Sequence, residues 1–128
     1  MLMHMIDFKN GEFVKLRKVG NGDVGDKVLS LLVPGEEIIG TYKGVRDYVT
    51  FTDRRFFAVN LQGLTGKKQD ITSMSYKGIS VFSIETAGHL DLDSELEVYY
   101  SGVGKLRFEF NGSCDITAIG RCISGCMS

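Results

Sequence analysis

Between Gly35 and Phe110 the chain carries several runs in which apolar and polar residues alternate at every second position. Successive side chains of a β-strand leave opposite faces, so this two-residue period describes strands buried on one face and wet on the other. The cleanest run is 105–110, where Leu106, Phe108 and Phe110 point one way and Lys105, Arg107 and Glu109 the other. The same pattern predicts strands at 79–86, with Phe82 and Ile84 opposed to Ser83 and Glu85, and at 95–100, with Leu96, Val98 and Tyr100 on one face. At 47–52 the alternating run meets Asp53, Arg54 and Arg55, then resumes through Phe57, Val59 and Leu61, which reads as a β-hairpin. Adding 37–42 and 71–75 gives seven strands. Their short, glycine-bearing connections suit antiparallel neighbours rather than helical crossovers.

The period is helical at the two flanks. Val24, Val28, Leu31 and Leu32 recur at i, i+4, i+7 and i+8, with Asp23 placed to cap and Asp26 in the first turn. This predicts a short amphipathic helix before the first strand. From Ser113, the residues Ile116, Ile119, Cys122, Ile123 and Cys126 form one stripe, and Ser113 or Asp115 can cap its start. A helix with such a stripe must bury it, and the open end of a β-sandwich or barrel is the natural place. Residues 1–22 show weak periodicity and are read as an N-terminal extension, with the domain proper at 23–128.

At 128 residues one domain is expected. Fifteen Lys and Arg against sixteen Asp and Glu leave a net charge of −1, so nothing draws the whole molecule to nucleic acid. The apolar start is interrupted at Asp7, too early for an export signal, and no stretch reaches the roughly 18 apolar residues of a membrane span. Three cysteines confined to 114–126 do not form a disulfide framework, and a reducing cytoplasm is the expected location.

Several motifs fall short of a chemical site. Gly20, Gly22 and Gly25 imitate a dinucleotide fingerprint, but the preceding run carries Lys15, Arg17 and Lys18, which a strand buried on both faces excludes. Gly66 and Lys67 suggest a phosphate loop, yet Leu61 and Lys68 stand where it needs glycine and a hydroxyl. Asp91, Asp93 and Glu95 lack the register of a calcium loop. Cys122 and Cys126 could supply two metal ligands, and two are not a site; packing is the expected role. No metal, cofactor or catalytic residue is assigned.

The segments Val-Pro-Gly-Glu-Glu-Ile at 33–38, Tyr-Lys-Gly-Val-Arg-Asp-Tyr-Val-Thr-Phe-Thr-Asp-Arg-Arg at 42–55, Gly-Leu-Thr-Gly-Lys-Lys at 63–68, and the stretch 83–96 resemble the bacterial pleckstrin-homology-like (PH-like) domains over about 24–124. The resemblance implies a mainly β fold, a seven-stranded antiparallel barrel or sandwich closed by a C-terminal α-helix. It also implies ring-shaped homo-oligomers, often pentamers, and a non-catalytic scaffold that binds a protein partner. Eukaryotic pleckstrin-homology domains bind inositol phosphates through basic residues around the first hairpin. Lys43 and Arg46 occupy the comparable stretch, and with Arg54 and Arg55 they form the candidate site for an anionic lipid or phosphate. Glu36, Glu37, Asp47 and Asp53 are close in sequence and offer salt bridges that would cancel much of that potential.

Overall fold

The computed structural model describes residues 12–45, 47–62, 68–90 and 92–127. Its strands are β1 (Glu12–Val19), β2 (Ile38–Lys43), β3 (Asp47–Thr52), β4 (Arg55–Gln62), β5 (Lys68–Ser75), β6 (Ile79–Glu85), β7 (Ser94–Tyr100) and β8 (Gly104–Phe110). Helix α1 is Asp26–Leu29 and helix α2 is Ile116–Met127. The strands form one curled sheet, a half-barrel, in the order β5-β4-β3-β2-β1-β8-β7-β6. All neighbours are antiparallel except β1 and β8, which run parallel.

The expected seven strands are therefore eight, and the additional one lies inside the segment read as an N-terminal extension. β1 sits at the centre of the sheet, between β2 and β8. Its register shifts between Phe13 and Leu16, and Lys15 takes a left-handed φ of 55°. This bulge inserts an extra residue, so Phe13 and Leu16, three apart, both reach the core while Lys15, Arg17 and Lys18 stay exposed. The two-residue period is broken, and its signal with it. The short helix follows this first strand instead of preceding it. β2 pairs antiparallel with β1, so no β-α-β unit follows Gly20–Gly25.

The first helix is also shorter than expected, a single turn. Asp23 does not cap it: its Oδ2 accepts the Gly20 N–H at 3.2 Å, and Gly25 takes the N-cap position. Val24 and Val28 are buried as the stripe requires, whereas Leu31 is 48% exposed. Val24 and Val28 pack with Tyr48, Phe57 and Val59 on one face of the β3–β4 hairpin.

On the other face the main core gathers around Phe108. Its ring lies 5.1 Å from Phe13, 5.4 Å from Phe51, 5.2 Å from Phe56 and 6.5 Å from Phe110. Stacked and edge-on pairs at these separations exploit the ring quadrupoles as well as burial. α2 joins this core as its stripe predicts. Ile116, Ile119 and Ile123 are buried, and Cys114, Cys122 and Cys126 pack against the core from its margin. Asp115 provides the cap, its Oδ1 accepting the Ala118 N–H at 3.2 Å. The helix lies against β6, β7 and the 3-10 turn Tyr76–Gly78. On the wet face Arg107 of β8 ties together Glu12, Glu95 and Glu109, at 3.6, 2.8 and 3.4 Å.

Candidate functional site

β3 separates the sequence-predicted basic residues. Lys43 ends β2 and pairs with Tyr48 at the start of β3, whereas Arg54 and Arg55 follow the end of β3. At about 3.3 Å per residue, that places them roughly 20 Å apart. The structure brings Arg54 and Arg55 together and leaves Lys43 at the opposite end of the hairpin; Arg46 lies outside the described residues.

At the Lys43 end a cleft of about 280 Å³ is lined by Lys43, Asp23, Thr41, Tyr48 and Gln69. Tyr48 Oη and Gln69 Oε1 are buried and make no hydrogen bond with any described residue. Burial pushes the Tyr48 phenol up, and the Gly25 backbone amide beside it offsets part of that effect. Gly25 is required for this approach, because a Cβ there would lie 2.7 Å from Tyr48 Oη. Both orphan atoms are sealed from solvent, so a ligand entering this cleft would meet only Lys43, Asp23 and its walls.

The other end is built around a partly buried ion pair. Arg55 holds Glu36 in a bidentate grip, Nη2 to Oε1 at 2.7 Å and Nε to Oε2 at 2.9 Å. Thr52 Oγ1 donates to Glu36 Oε2 at 2.7 Å, and the Val33 N–H donates to Oε1 at 3.0 Å. The Arg55 guanidinium is the chief cause that holds the Glu36 carboxyl down at about 2; burial opposes it, and Thr52 and Val33 assist. Arg55 also donates to the Leu31 carbonyl at 2.8 Å and lies over the Phe57 ring, 4.5 Å from its centroid. Its fork is thereby committed to fastening the 31–36 segment onto β4.

Around this pair lies a cleft of about 400 Å³, within the size range of ligand-enclosing sites. Val33, Glu36, Arg54, Arg55, Lys77 and Cys126 are among its lining residues. Arg54 is exposed and faces one carboxylate, Asp53, at 3.8 Å. Sequence reading missed Lys77. It arrives through the turn Tyr76–Gly78, which Tyr76 anchors by donating from Oη to the Thr52 carbonyl at 2.7 Å. Tyr76 is fully buried, and burial raises its phenol far above the usual range. Nothing in the local sequence around Lys77 signals that contact.

The 63–67 loop and Asp91 lie outside the described residues. Asp93 Oδ1 accepts the Gly112 N–H at 3.0 Å, and Glu95 pairs with Arg107. No group of three or more His, Cys, Asp or Glu among the described residues is arranged to hold a metal. No helix among them is long and apolar enough to cross a membrane.

Comparison with known proteins agrees with this architecture. The family model for the bacterial PH domain matches residues 7–127, which includes β1. A crystal structure of a DUF1696 family protein with a pleckstrin-homology domain from Shewanella loihica PV-4 superposes with a TM-score of 0.69 at 29% identity, covering 91% of this chain and 100% of that one. A pleckstrin homology domain from Shewanella amazonensis SB2B gives a TM-score of 0.57 at 35% identity, with 86% and 90% covered. The uncharacterized protein YjqA of Bacillus subtilis (strain 168) is 48% identical over 79 residues. That match spans 62% of this chain and 63% of YjqA, under two thirds of its length.

Proposed function

The chain belongs to the bacterial PH domain family, and from that premise we propose that it is a non-catalytic interaction module. It assembles with copies of itself into a ring, a pentamer, and offers the ring to a protein partner. The observation that supports this reading is the apolar surface around β6. β6 pairs with β7 on one side only among the described strands, and Val81, Leu90, Leu92 and Tyr99 on this hairpin are 62%, 97%, 67% and 45% exposed. Such apolar surface, grouped at one edge of a sheet, is characteristic of contact surfaces. When a contact joins two different surfaces of one chain, repetition closes a ring if the rotation between copies permits it. Light scattering at micromolar concentration is expected to give about five times the monomer mass. A monomer under those conditions would refute self-assembly.

A second reading, binding of an anionic phosphate or lipid headgroup, is favoured by Arg54 and Lys77 at the mouth of the larger cleft. Lys43 would act apart from them. Vesicles of phosphatidylserine and phosphatidylcholine are expected to retain the protein at low salt and release it at high salt, with Arg54→Glu abolishing retention. Equal partition with and without phosphatidylserine would dismiss this reading.

A further inference from the structure

The exposed Leu90 and Leu92 after β6 and the basic cleft before it lie at opposite ends of one strand. β6 begins at Ile79, directly after the turn that contributes Lys77, and ends at Glu85, where the connection to β7 departs. Seven residues of strand put roughly 23 Å between them. They cannot meet within one molecule.

Their chemistry is complementary. The connection presents Leu90 and Leu92, 97% and 67% exposed, between Glu85 at the end of β6 and Asp93 before β7. The cleft presents Val33, 43% exposed, and Cys126 together with the cations Arg54 and Lys77. The negative charge of Glu36 is matched by Arg55 and that of Asp53 by Arg54, so Lys77 leaves the mouth of the cleft net positive. An apolar projection flanked by acids thus faces an apolar recess flanked by bases, on two surfaces of the same chain.

We propose that the β6–β7 connection of one copy inserts Leu90 and Leu92 into the Val33, Arg54 and Lys77 cleft of the next. This rests on the self-assembly reading and assigns it its two surfaces. The contact is head-to-tail, each copy using its projection on one neighbour and its cleft on the other. It also gives the cations of the cleft separate roles: Arg55 is held by Glu36 and shapes the wall, Arg54 shares its charge with Asp53, and Lys77 adds the charge that meets the neighbour's acids.

Two paired variants test this by light scattering, with circular dichroism to confirm the fold. Leu90→Asp with Leu92→Asp alters only exposed residues of the projection, and Arg54→Glu with Lys77→Glu alters only the rim of the cleft. Each is expected to be monomeric at a concentration where the natural protein is assembled. Mixed in equal amounts, they are expected to form a two-copy species, because one intact projection and one intact cleft remain between them. Either variant keeping the natural mass would overturn the assignment of surfaces while leaving self-assembly in place. Two monomeric variants that fail to pair on mixing would overturn the head-to-tail contact. A monomeric natural protein would refute the proposal and the reading beneath it together. Loss of phosphatidylserine-vesicle retention by the cleft variant, with its assembly intact, would assign the cleft to anions and overturn the proposal.

Discussion

Phe108→Ala is expected to lower the stability of the domain by about 3–5 kcal/mol. Phe108 is fully buried, and its ring touches those of Phe13, Phe51, Phe56 and Phe110, contributed by β1, β3, β4 and β8. Removing it opens a cavity among side chains held by four strands of the sheet, which cannot collapse without moving backbone. Phe108→Leu is expected to cost less because it refills part of the space. Urea denaturation of the three proteins measures both effects. An alanine variant within about 1 kcal/mol of the natural protein would show that Phe108 is not the keystone of this core.

Arg55→Ala is expected to cost a further large amount, about 3–5 kcal/mol near neutral pH, by leaving the Glu36 carboxylate buried without its counter-charge. The Glu36 side chain is 0% exposed and that of Arg55 22%. Acid should reveal the pair independently. The Glu36 carboxyl is held at about 2 against an ordinary 4.5, so the folded state binds its proton less readily than the unfolded chain. Its contribution to stability is present in full above pH 4.5 and is lost as pH falls from there toward 2, amounting to about 3 kcal/mol at most. In Arg55→Ala the carboxyl returns upward, and stability should vary less over that interval. Denaturation midpoints of both proteins between pH 7 and pH 2.5 check this. Parallel curves would show that Glu36 is not the titrating group.

How much of this was legible in the sequence depended on how local each signal was. β8 was readable because Leu106, Phe108 and Phe110 keep the two-residue period without interruption. β7 was readable for the same reason, and α2 because its apolar stripe spans the whole helix. β3 and β4 were readable as strands but not as half-buried ones, since Tyr48 to Thr52 and Phe56 to Val59 are buried in unbroken runs, and β6 shifts register between Ile79 and Val81. β1 was hidden by one residue: the bulge at Lys15 sets Phe13 and Leu16 three positions apart and leaves the strand looking like a charged linker. The first helix was overdrawn because Leu31 and Leu32 continue its spacing, although the chain leaves the helix at Ser30. At the site, sequence proximity misled in one respect and helped in another. Lys43 and Arg54 are eleven positions apart in the sequence, yet β3 holds them at opposite ends. The suggested salt bridges to neighbouring acids are realised by Arg55 with Glu36 and by Arg54 with Asp53. Lys77 could not be foreseen, because it reaches the cleft only through the tertiary anchoring of Tyr76.

The parallel pairing of β1 with β8 also has a kinetic consequence. β1 to β5 zip together through neighbours in sequence, and so do β6 to β8, giving two halves that need only local closures. The seam between them joins residues such as Lys15 and Glu109, 94 positions apart. The logarithmic part of closing a loop of that length is about 4 kcal/mol, to be met before Phe13 stacks on Phe108. During synthesis on the ribosome the central strand must therefore wait, one side unpaired, until nearly all of the domain has emerged.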